Sequence, residues 1–389
     1  MDMHPSDRIR GEKSEILKGK KIALCVTGSI SSVEAVKVAR ELIRHGAQVY
    51  PYATTSALKF IGKDSLLFAT GNPVVDELTG KDEHLEAFDL ILVAPATANV
   101  ISKAACGIAD DAVSTLILAN LEKCMFIPTM HEKMMNNPIF QENVNKLKKY
   151  CKFIEPVREE DKLKLPNRES IAAEVMHSLR NELRGKKILV IGGAGYEKID
   201  NFRIITNLAT GRTGVELAKY AYYYGGEVKL LVSLHSVEIP SFIPFESFGS
   251  IEDLLSRMEV YKNYDVIIVP AALPDFKPGK VDGKIKSLRE FEEVKYTENP
   301  KFLKELRKTY HGFLVGFKAE SGVSEEELIR RARERMKEYS LDMVVANLLE
   351  DVKPKSTRVL IIFDDDFERV EGSKDMVAKR IIEIVAESL

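Results

Sequence analysis

Short apolar runs alternate along most of the chain with segments whose apolar residues recur at helical spacing. Such runs are typical of buried strands, and apolar residues three or four positions apart line one face of a helix. Strands are predicted at 21–27, 47–52, 89–94, 124–128, 187–191, 227–232, 264–269, 313–316, 342–346 and 358–363. Because strands that alternate with helices form parallel sheets covered by helices, the pattern predicts an α/β fold with doubly wound, mostly parallel, Rossmann-like sheets.

Helix signals lie between these predicted strands. Residues 31–45 carry apolar residues at helical spacing. In 324–340, Ser324 and Glu327 form a capping-box pattern ahead of an apolar stripe. A further helix at 168–183 is predicted to close the first half of the chain.

A rough internal repeat divides the chain into two halves. The stretch KKIALCVTG at 20–28 resembles KKILVIGGAG at 186–195, and each is a predicted strand that runs into a glycine turn. A chain of 389 residues is also too long for one ordinary core. We therefore predict two domains, at 1–184 and 185–389, each with its own sheet and its own ligand-binding turn.

Composition narrows the possible functions. Hydrophobic residues make up 45% of the chain and charged residues 30%, with a formal net charge of -2. This balance gives no basic surface for nucleic acid, and no apolar run approaches the length of a membrane span. The N-terminal segment is polar, and the four cysteines show no paired spacing. We expect a soluble, cytoplasmic protein with reduced cysteines and small-molecule ligands.

The turns after four predicted strands of the first half carry small and polar residues. Ligands of open α/β sheets bind at the carboxyl ends of strands, where such turns lie. TGSIS at 27–31 offers backbone N–H groups and hydroxyls at a helix start, which suits one phosphate rather than a pyrophosphate. The other turns are TTSALKF at 54–60, APATANVISKAACGIADDAVSTL at 94–116 and PTMHEKMMNNP at 128–138.

Taken in this order, the four turns resemble those of the flavin-dependent cysteine decarboxylase family. The resemblance implies a flavodoxin-like first domain with FMN as its cofactor, the single phosphate lying at the first turn. It implies FMN contacts for Gly28, Ser29, Thr55, Thr97, Asn99 and Ser114. In the implied reaction FMN oxidises the cysteinyl thiol of the substrate, so that the electrons of the departing carboxylate have an acceptor.

Three further positions bear on this implied decarboxylation. His84 matches the family's catalytic histidine, and a group that titrates near neutral pH suits proton transfer. His131 stands where bacterial members have asparagine, and we expect it to bind the substrate carboxylate. The stretch EEDKLKLPNRESIAAEV at 159–175 lacks the flap cysteine that donates a proton in the family.

From Lys186 onward the chain resembles the ligase half of the bifunctional phosphopantothenoylcysteine decarboxylase/phosphopantothenate–cysteine ligase family. The stretch GGAGYEKIDNFRIITNLATGRTGVELA at 192–218 looks like that family's strand, loop and helix start. The resemblance implies that Asn207 holds an acyl intermediate. Arg212 stands in the phosphate-facing turn, where the family usually has lysine, and it is expected to bind substrate because it keeps the charge.

The stretch VPAALPDFKPGKVDGKIKS at 269–287 resembles the CTP-binding part of the same family. Within it, Lys284 matches the loop lysine that meets the triphosphate, and it is the third implied catalytic residue. The implied CTP contacts are Pro270, Ala271, Asp275, Lys284, Asn299, Phe317 and Arg335. Mg²⁺ is expected to accompany the triphosphate and to be held mainly by it.

The two resemblances together imply successive reactions of coenzyme A biosynthesis. The chain would join cysteine to 4'-phosphopantothenate with CTP, through an acyl-cytidylate, and then decarboxylate the product to 4'-phosphopantetheine with FMN. The family also implies a homo-oligomer, with trimers formed by the flavin domain and dimers formed by the ligase domain.

Three other interpretations remain open at this point. The missing flap cysteine favours a ligase whose flavin domain is catalytically inactive. A flavin-dependent prenyltransferase-like first half would share the same turns. A flavin- or nucleotide-binding regulatory protein would use both sites without turnover.

Overall fold

The computed structural model describes residues 3–279, 283–352, 356–363 and 366–389. The chain forms two compact units, Met1–Leu179 and Arg180–Leu389, each of which is described by itself. The division lies a few residues before the boundary predicted between 184 and 185.

The first unit is built on a five-stranded parallel sheet. Its strands are β1 (Lys21–Val26), β2 (Gln48–Ala53), β3 (Leu90–Ala96), β4 (Cys124–Pro128), β5 (Lys152–Phe153), β6 (Val157–Glu159) and β7 (Lys162–Lys164). The first five pair in the order β2-β1-β3-β4-β5, all parallel, and β6 and β7 form a separate hairpin. This order is that of flavodoxin-like folds, in which ligands bind beside β1 and β3.

Eight helices of the first unit lie in the described residues. They are α1 (Pro5–Arg8), α2 (Ala35–Arg44), α3 (Lys63–Thr70), α4 (Ala98–Cys106), α5 (Ala112–Ala119), α6 (Glu132–Met135), α7 (Pro138–Leu147) and α8 (Arg168–Leu179). Apolar side chains of β1, β3 and β4, including Cys25, Val93 and Phe126, form a buried core with α4, α5 and α7.

Two predicted helices differ from the observed ones at an end. The segment predicted as a helix from 31 begins as a 3-10 turn, Ile30–Glu34, in which Ser32 donates its hydroxyl hydrogen to the carbonyl of Thr27 (2.7 Å). Helix α8 ends at Leu179 rather than at 183. Beyond it, the Leu183 N–H donates to the carbonyl of Tyr224 (3.0 Å), so these residues pack with the second unit.

The second unit is built on an eight-stranded mixed sheet. Its strands are β8 (Lys187–Gly192), β9 (Tyr196–Lys198), β10 (Ile204–Thr206), β11 (Glu227–Val232), β12 (Phe245–Ser247), β13 (Val266–Val269), β14 (Phe276–Pro278), β15 (Tyr296–Glu298), β16 (Phe313–Glu320), β17 (Met343–Leu348), β18 (Thr357–Phe363) and β19 (Asp366–Gly372). The large sheet has the order β12-β11-β8-β13-β16-β17-β18-β19, while β9–β10 and β14–β15 are small antiparallel pairs.

The helices of the second unit lie between these strands. They are α9 (Arg212–Tyr223), α10 (Ile251–Leu255), α11 (Met258–Tyr261), α12 (Leu288–Glu292), α13 (Phe302–Arg307), α14 (Glu325–Tyr339) and α15 (Lys374–Glu387). As predicted, Ser324 caps α14, its hydroxyl accepting the Glu327 N–H. The Glu327 carboxylate pairs with Arg330 and Arg331.

The sheet is parallel from β12 to β17, and only β18 and β19 run antiparallel to their neighbours. A parallel partner needs a long crossover, usually a helix, whereas the link from β17 to β18 is short, so the chain turns back. The predicted α/β class with mostly parallel sheets is confirmed.

Candidate functional sites

The turns after β1 and β3 are tied together at the carboxyl edge of the first sheet. The buried Thr27 hydroxyl donates to the carbonyl of Pro95 (2.7 Å) and accepts the Thr97 N–H (3.0 Å). Thr97 in turn caps α4 by accepting the Val100 N–H (3.5 Å). Because β1 and β3 are neighbours, the two turns lie side by side where flavodoxin-like folds bind their ligand.

The turn after β2 packs against the turn after β1 at the same edge of the sheet. A Cβ atom on Gly28 would lie 2.5 Å from the Cβ of Ser56, so only glycine allows this approach. Ser29 caps the 3-10 helix Ile30–Glu34, its hydroxyl accepting the Ser31 N–H (3.3 Å). The first three post-strand turns therefore meet around a short helix start, as an anion-binding edge requires.

The remaining predicted FMN residues differ in how free their side chains are. Thr55 and Asn99 are exposed at this edge. Ser114 is buried, and its hydroxyl accepts the N–H groups of Asp110 and Asp111 (both 3.0 Å) and also bonds to the Asp111 carboxylate. These bonds use the donor and both acceptor positions of the hydroxyl, so Ser114 is engaged in holding the loop before α5.

His84 lies apart from the turn of Ser114. It belongs to the 3-10 helix Glu83–Leu85, and its carbonyl accepts a hydrogen bond from Asn120 (3.1 Å), which ends α5. Ser114 lies in the first turn of the same helix. His84 thus packs at one end of α5, whereas the predicted flavin contact of α5 lies at the other.

Five buried side-chain polar atoms of the first unit lack a hydrogen-bond partner within the described residues. Two of them are the Nδ1 atom of His84 and the hydroxyl of Thr129, and the others belong to Arg40, Glu41 and Glu83. Thr129 lies directly after β4, and its N–H donates to the carbonyl of Ala96 at the end of β3 (3.0 Å). Buried polar atoms are normally paired. The Thr129 hydroxyl and the glycine approach at 28 therefore fit a ligand with polar atoms, such as a flavin, at this edge.

His131 presents a defined tautomer at the start of α6. Its Nδ1 atom accepts the Lys133 N–H (3.3 Å), so in the neutral ring the hydrogen is on Nε2. The ring is exposed. An exposed Nε2–H is a suitable donor to a substrate carboxylate.

The stretch that lacks the flap cysteine lies beside His131. The hairpin of β6 and β7 bonds to the chain around it, through Glu132 N–H to the Asp161 carbonyl (2.9 Å) and Leu163 N–H to the Met130 carbonyl (2.8 Å). Cys151 is buried elsewhere, its thiol donating to the Leu147 carbonyl (3.1 Å), and burial raises its pKa to about 11. Such a thiol is unreactive.

A cleft of about 680 Å³ opens in the second unit at the carboxyl edge of its sheet. The residues that follow β13 form one wall, and the ends of β16 and β17 form another. Seven residues predicted for the ligase reaction line it: Asn207, Pro270, Ala271, Asp275, Asn299, Phe317 and Arg335. The cleft therefore gathers residues that are far apart in sequence.

The amide of Asn299 is fixed in one orientation. Asn299 is buried, and its Nδ2 atom donates to a carboxylate oxygen of Glu197 (3.1 Å) and to the carbonyl of Pro274 (3.0 Å). Both amide hydrogens are thereby used, which leaves Oδ1 as the atom that can contact a ligand. A ligand group that bonds to Asn299 must therefore be a hydrogen-bond donor.

Carboxylates neutralise two of the cleft's four cations. Lys301 pairs with Asp275 (2.6 Å) and Lys318 with Glu320 (2.7 Å). Arg335 lies over the ring of Tyr339, 5.0 Å from its centre. Lys374, the fourth cation, was not predicted from the sequence.

Lys284 does not line the cleft. It is exposed, and its ammonium lies 5.2 Å from the ring centre of Phe202. Its loop is attached through the Ile285 N–H, which donates to the buried Asp200 carboxylate (3.0 Å). Burial opposes ionisation of Asp200, but the N–H groups of Ile285, Phe202 and Arg203 outweigh it and lower its pKa. Residues 280–282 of this loop lie outside the described residues.

Arg212 is also absent from the lining of the cleft, although its neighbour Thr213 is part of it. Arg212 is the first residue of α9. That helix start lies against β8, since a Cβ on Gly214 would lie 3.1 Å from the Cα of Gly192. This close approach brings the N–H groups of the helix start to the edge of the sheet.

Two family models match the chain, one over each of its two compact units. A family model described as Flavoprotein matches residues 10–180, and one for the DNA/pantothenate metabolism flavoprotein C-terminal domain matches residues 183–389. The coenzyme A biosynthesis bifunctional protein CoaBC of Thermococcus kodakarensis is 41% identical over 100% of both chains. The chain belongs to the CoaBC family. The CoaBC protein of Methanocaldococcus jannaschii is 38% identical over 98% of this chain and 97% of its own.

Membership in the CoaBC family confirms the predicted resemblance and the prediction of a bifunctional enzyme of coenzyme A biosynthesis. The flavoprotein domain supports a flavin cofactor. Among solved structures, the C-terminal domain of a CoaBC protein is 27% identical, with a TM-score of 0.45 over 54% of this chain and 97% of that one. The peptidyl-cysteine decarboxylase EpiD is 28% identical, with a TM-score of 0.35 over 39% of this chain and 95% of its own.

Among the described residues, no helix is both long and apolar enough to cross a membrane. Within the same residues, no group of three or more His, Cys, Asp or Glu side chains is placed to hold a metal ion.

Proposed function

We propose that this CoaBC family member catalyses two successive reactions, one in each unit. The second unit activates the carboxylate of 4'-phosphopantothenate with CTP, releasing pyrophosphate, and the amine of cysteine then displaces CMP from the acyl-cytidylate. The first unit decarboxylates the product to 4'-phosphopantetheine, with FMN as its flavin. The observation that carries this proposal is the cleft of the second unit, which collects seven residues expected for the ligase reaction.

The proposed FMN site is the edge formed by the turns after β1, β2 and β3. Gly28, Ser29 and Thr55 would hold the phosphate, and Thr97 and Asn99 would approach the ribityl chain or ring. The bound flavin supplies a reversible electron acceptor for the cysteinyl group. Ser114 would act by holding the loop beside the cofactor, since its hydroxyl is fully bonded.

Two histidines have proposed roles in decarboxylation. His84 exchanges a proton with the substrate, a role supported by its buried and unpartnered Nδ1 atom. His131 holds the substrate carboxylate through its Nε2–H, and the adjoining hairpin of β6 and β7 covers that end of the site.

Four residues have proposed roles in the ligase reaction, two of them in the cleft and two outside its lining. Lys284 and Mg²⁺, the latter held mainly by the triphosphate, neutralise charge as the α-phosphate is attacked. Asn207 holds the acyl intermediate, and Arg212 binds a substrate phosphate. Asn299 accepts a hydrogen bond from the amino group of cytosine, because its own amide hydrogens are already donated.

The remaining proposed CTP contacts form the walls of the cleft. Pro270 and Ala271 follow β13, and Phe317 lies near the end of β16. Asp275 faces the ribose, and Arg335 contributes positive charge from α14.

Oligomerisation is part of the proposal. Ile30, beside the phosphate turn, and Leu85, beside His84, are 70% and 63% exposed, and contact with another subunit would remove this apolar area from water. We expect trimers through the first unit and dimers through the second, in a cytoplasmic enzyme. A flavin site at a trimer interface could use the His84 of one subunit and the turns of another.

The direct test is an assay of the purified full chain with CTP, Mg²⁺, 4'-phosphopantothenate and cysteine. Release of pyrophosphate and of carbon dioxide, with a bound flavin spectrum, is the expected result. Pyrophosphate without carbon dioxide would identify a ligase with an inactive flavin domain. Binding of CTP and flavin with neither product would contradict catalysis and favour a regulatory protein.

A further inference from the structure

The last helix of the chain begins with a lysine in the cleft. Lys374 is the first residue of α15, where Ser373 caps the helix by accepting the Met376 N–H (3.2 Å). Lys374 lines the cleft together with Val377, one turn further along the helix. Its side chain is partly buried.

Lys374 differs from the other lysines of the cleft in having no acidic partner. Lys301 and Lys318 are each paired with a carboxylate at less than 3 Å. Within the residues that the structure describes, the Lys374 ammonium makes neither an ion pair nor a hydrogen bond. A partly buried cation without a partner is costly, so an anionic ligand would stabilise it.

A second cation lies close to Lys374. Burial lowers the pKa of Lys374, and the charge of Arg212 lowers it further. Arg212 is the first residue of α9, which packs against α15. The Arg212 guanidinium lies 3.9 Å from a carboxylate oxygen of Glu216.

Both cations also occupy the least favourable end of a helix. The N-terminus of a helix carries a partial positive charge, which favours anions and disfavours Lys and Arg. Here the two helices α9 and α15, which pack against each other, both begin with a cation, although only Lys374 itself lines the cleft. Burial, mutual repulsion and the two helix dipoles all oppose this arrangement, and the opposite charge of a bound anion would offset these costs.

We propose that Lys374, together with Arg212, forms a subsite that binds a phosphoryl group of one of the ligase substrates. This inference rests on the proposed ligase function of the cleft. The phosphoryl group belongs either to the triphosphate of CTP or to the phosphate ester of 4'-phosphopantothenate. In both cases the ammonium donates to phosphate oxygens while the helix starts supply N–H groups.

The test compares Lys374→Met with Lys379→Met in the full chain. Lys379 lies on the same helix, pairs with Glu383 (3.7 Å) and is not part of the cleft, so its substitution removes the same charge elsewhere. Isothermal titration with CTP and, separately, with 4'-phosphopantothenate gives two dissociation constants for each variant. Lys374→Met is expected to weaken one of them roughly ten- to a hundredfold, and Lys379→Met neither.

The ligand affected identifies the source of the phosphoryl group. Weaker CTP binding alone assigns the subsite to the triphosphate, and weaker 4'-phosphopantothenate binding alone assigns it to the phosphate ester. Unchanged binding of both ligands by Lys374→Met overturns the inference. If the unsubstituted chain binds neither ligand, the proposed ligase function itself is wrong.

Thermal unfolding without ligand separates this role from a structural one. Because Lys374 is unfavourable in the free protein, Lys374→Met is expected to unfold at the same temperature as the unsubstituted chain, or higher. Lys374→Arg is expected to keep most of the affinity. A lowered unfolding temperature in Lys374→Met, with affinity lost in Lys374→Arg as well, would contradict a binding role.

Discussion

At the scale of single residues, the hydrogen bonds of buried polar groups determine what each proposed site can recognise. Asn299 is the clearest case, because Glu197 and the Pro274 carbonyl take both of its amide hydrogens. The orientation of one amide thus decides whether the site accepts or donates a hydrogen bond. The 4-amino group of cytosine is a donor, whereas the corresponding position of uracil is an acceptor.

Glu197 is therefore expected to control nucleotide selectivity without touching the nucleotide. In Glu197→Ala the Asn299 amide can rotate, and the ratio of kcat/KM for CTP to that for UTP should fall about tenfold. Glu197→Gln retains an acceptor oxygen and should keep the ratio. Equal loss of activity with CTP and UTP in Glu197→Ala would mean that Glu197 only supports the fold.

Glu41 makes the stability of the first unit depend on pH. Its carboxylate is 1% exposed, and although burial opposes ionisation, hydrogen bonds from His45 and Lys13 lower its pKa from 4.5 to about 2. A carboxyl with a lowered folded pKa stabilises the fold above its unfolded pKa. That contribution is lost as the pH falls from about 4.5 to about 2.

We expect this shift to contribute about 3 kcal/mol to the free energy of unfolding near neutral pH. Chemical unfolding followed by circular dichroism at several pH values between 6 and 2 measures it. Comparing the free energies of unfolding of the unsubstituted chain and Glu41→Gln cancels the effect of other carboxyls. Their difference should shrink over the lower part of that pH range. A difference that stays constant with pH would rule out a lowered pKa for Glu41.

At the scale of elements, the proposed flavin site depends on how closely the turn after β1 approaches the turn after β2. Gly28 permits that approach, because a Cβ there would lie 2.5 Å from the Cβ of Ser56. The bonds of Thr27 fix the third turn to the first. The three turns are therefore held together at this edge, and a methyl group added at position 28 would push two of them apart.

Gly28→Ala is expected to weaken flavin binding at least about tenfold, since the turns must separate by several tenths of an ångström or more. The bound flavin absorbance of the purified chain measures this, and pyrophosphate release by the second unit serves as the internal control. The double variant Gly28→Ala with Ser56→Gly removes the opposing Cβ and should restore flavin. Full flavin content in Gly28→Ala alone would contradict the proposed site.

The sequence pattern predicted the buried elements better than the exposed ones. The apolar runs of the parallel strands carry a clear signal, whereas β19, Asp366–Gly372, is largely charged and forms the edge of the sheet, so periodicity missed it. The antiparallel direction of β18 depends on the length of a connection rather than on its residues. The 3-10 turn at Ile30–Glu34 has the same residue spacing as the start of an α-helix, so the apolar pattern does not distinguish it.

Prediction of the candidate sites from the sequence was limited in the same way. Seven ligase residues were found through motifs and do share one cleft. Contacts between distant segments, such as Glu197 with Asn299, leave no local trace in the sequence. Lys374 was missed because the sequence does not distinguish a lysine in the cleft from an ordinary surface lysine at the start of a helix.

At the scale of the whole molecule, the chain carries its two candidate sites on two separate sheets. Each unit has its own core and its own carboxyl edge. We therefore expect two activities that can be lost one at a time. In the proposed function, His84 serves only the first unit and Lys284 serves only the second.

The most direct test measures pyrophosphate and carbon dioxide from the same reaction, for the unsubstituted chain, His84→Asn and Lys284→Gln. We expect equal amounts of both products from the unsubstituted chain. His84→Asn should release pyrophosphate with carbon dioxide reduced about a hundredfold or more. Lys284→Gln should form little pyrophosphate yet still decarboxylate added 4'-phosphopantothenoylcysteine. Loss of both activities in either variant, with the fold intact, would contradict two independent sites.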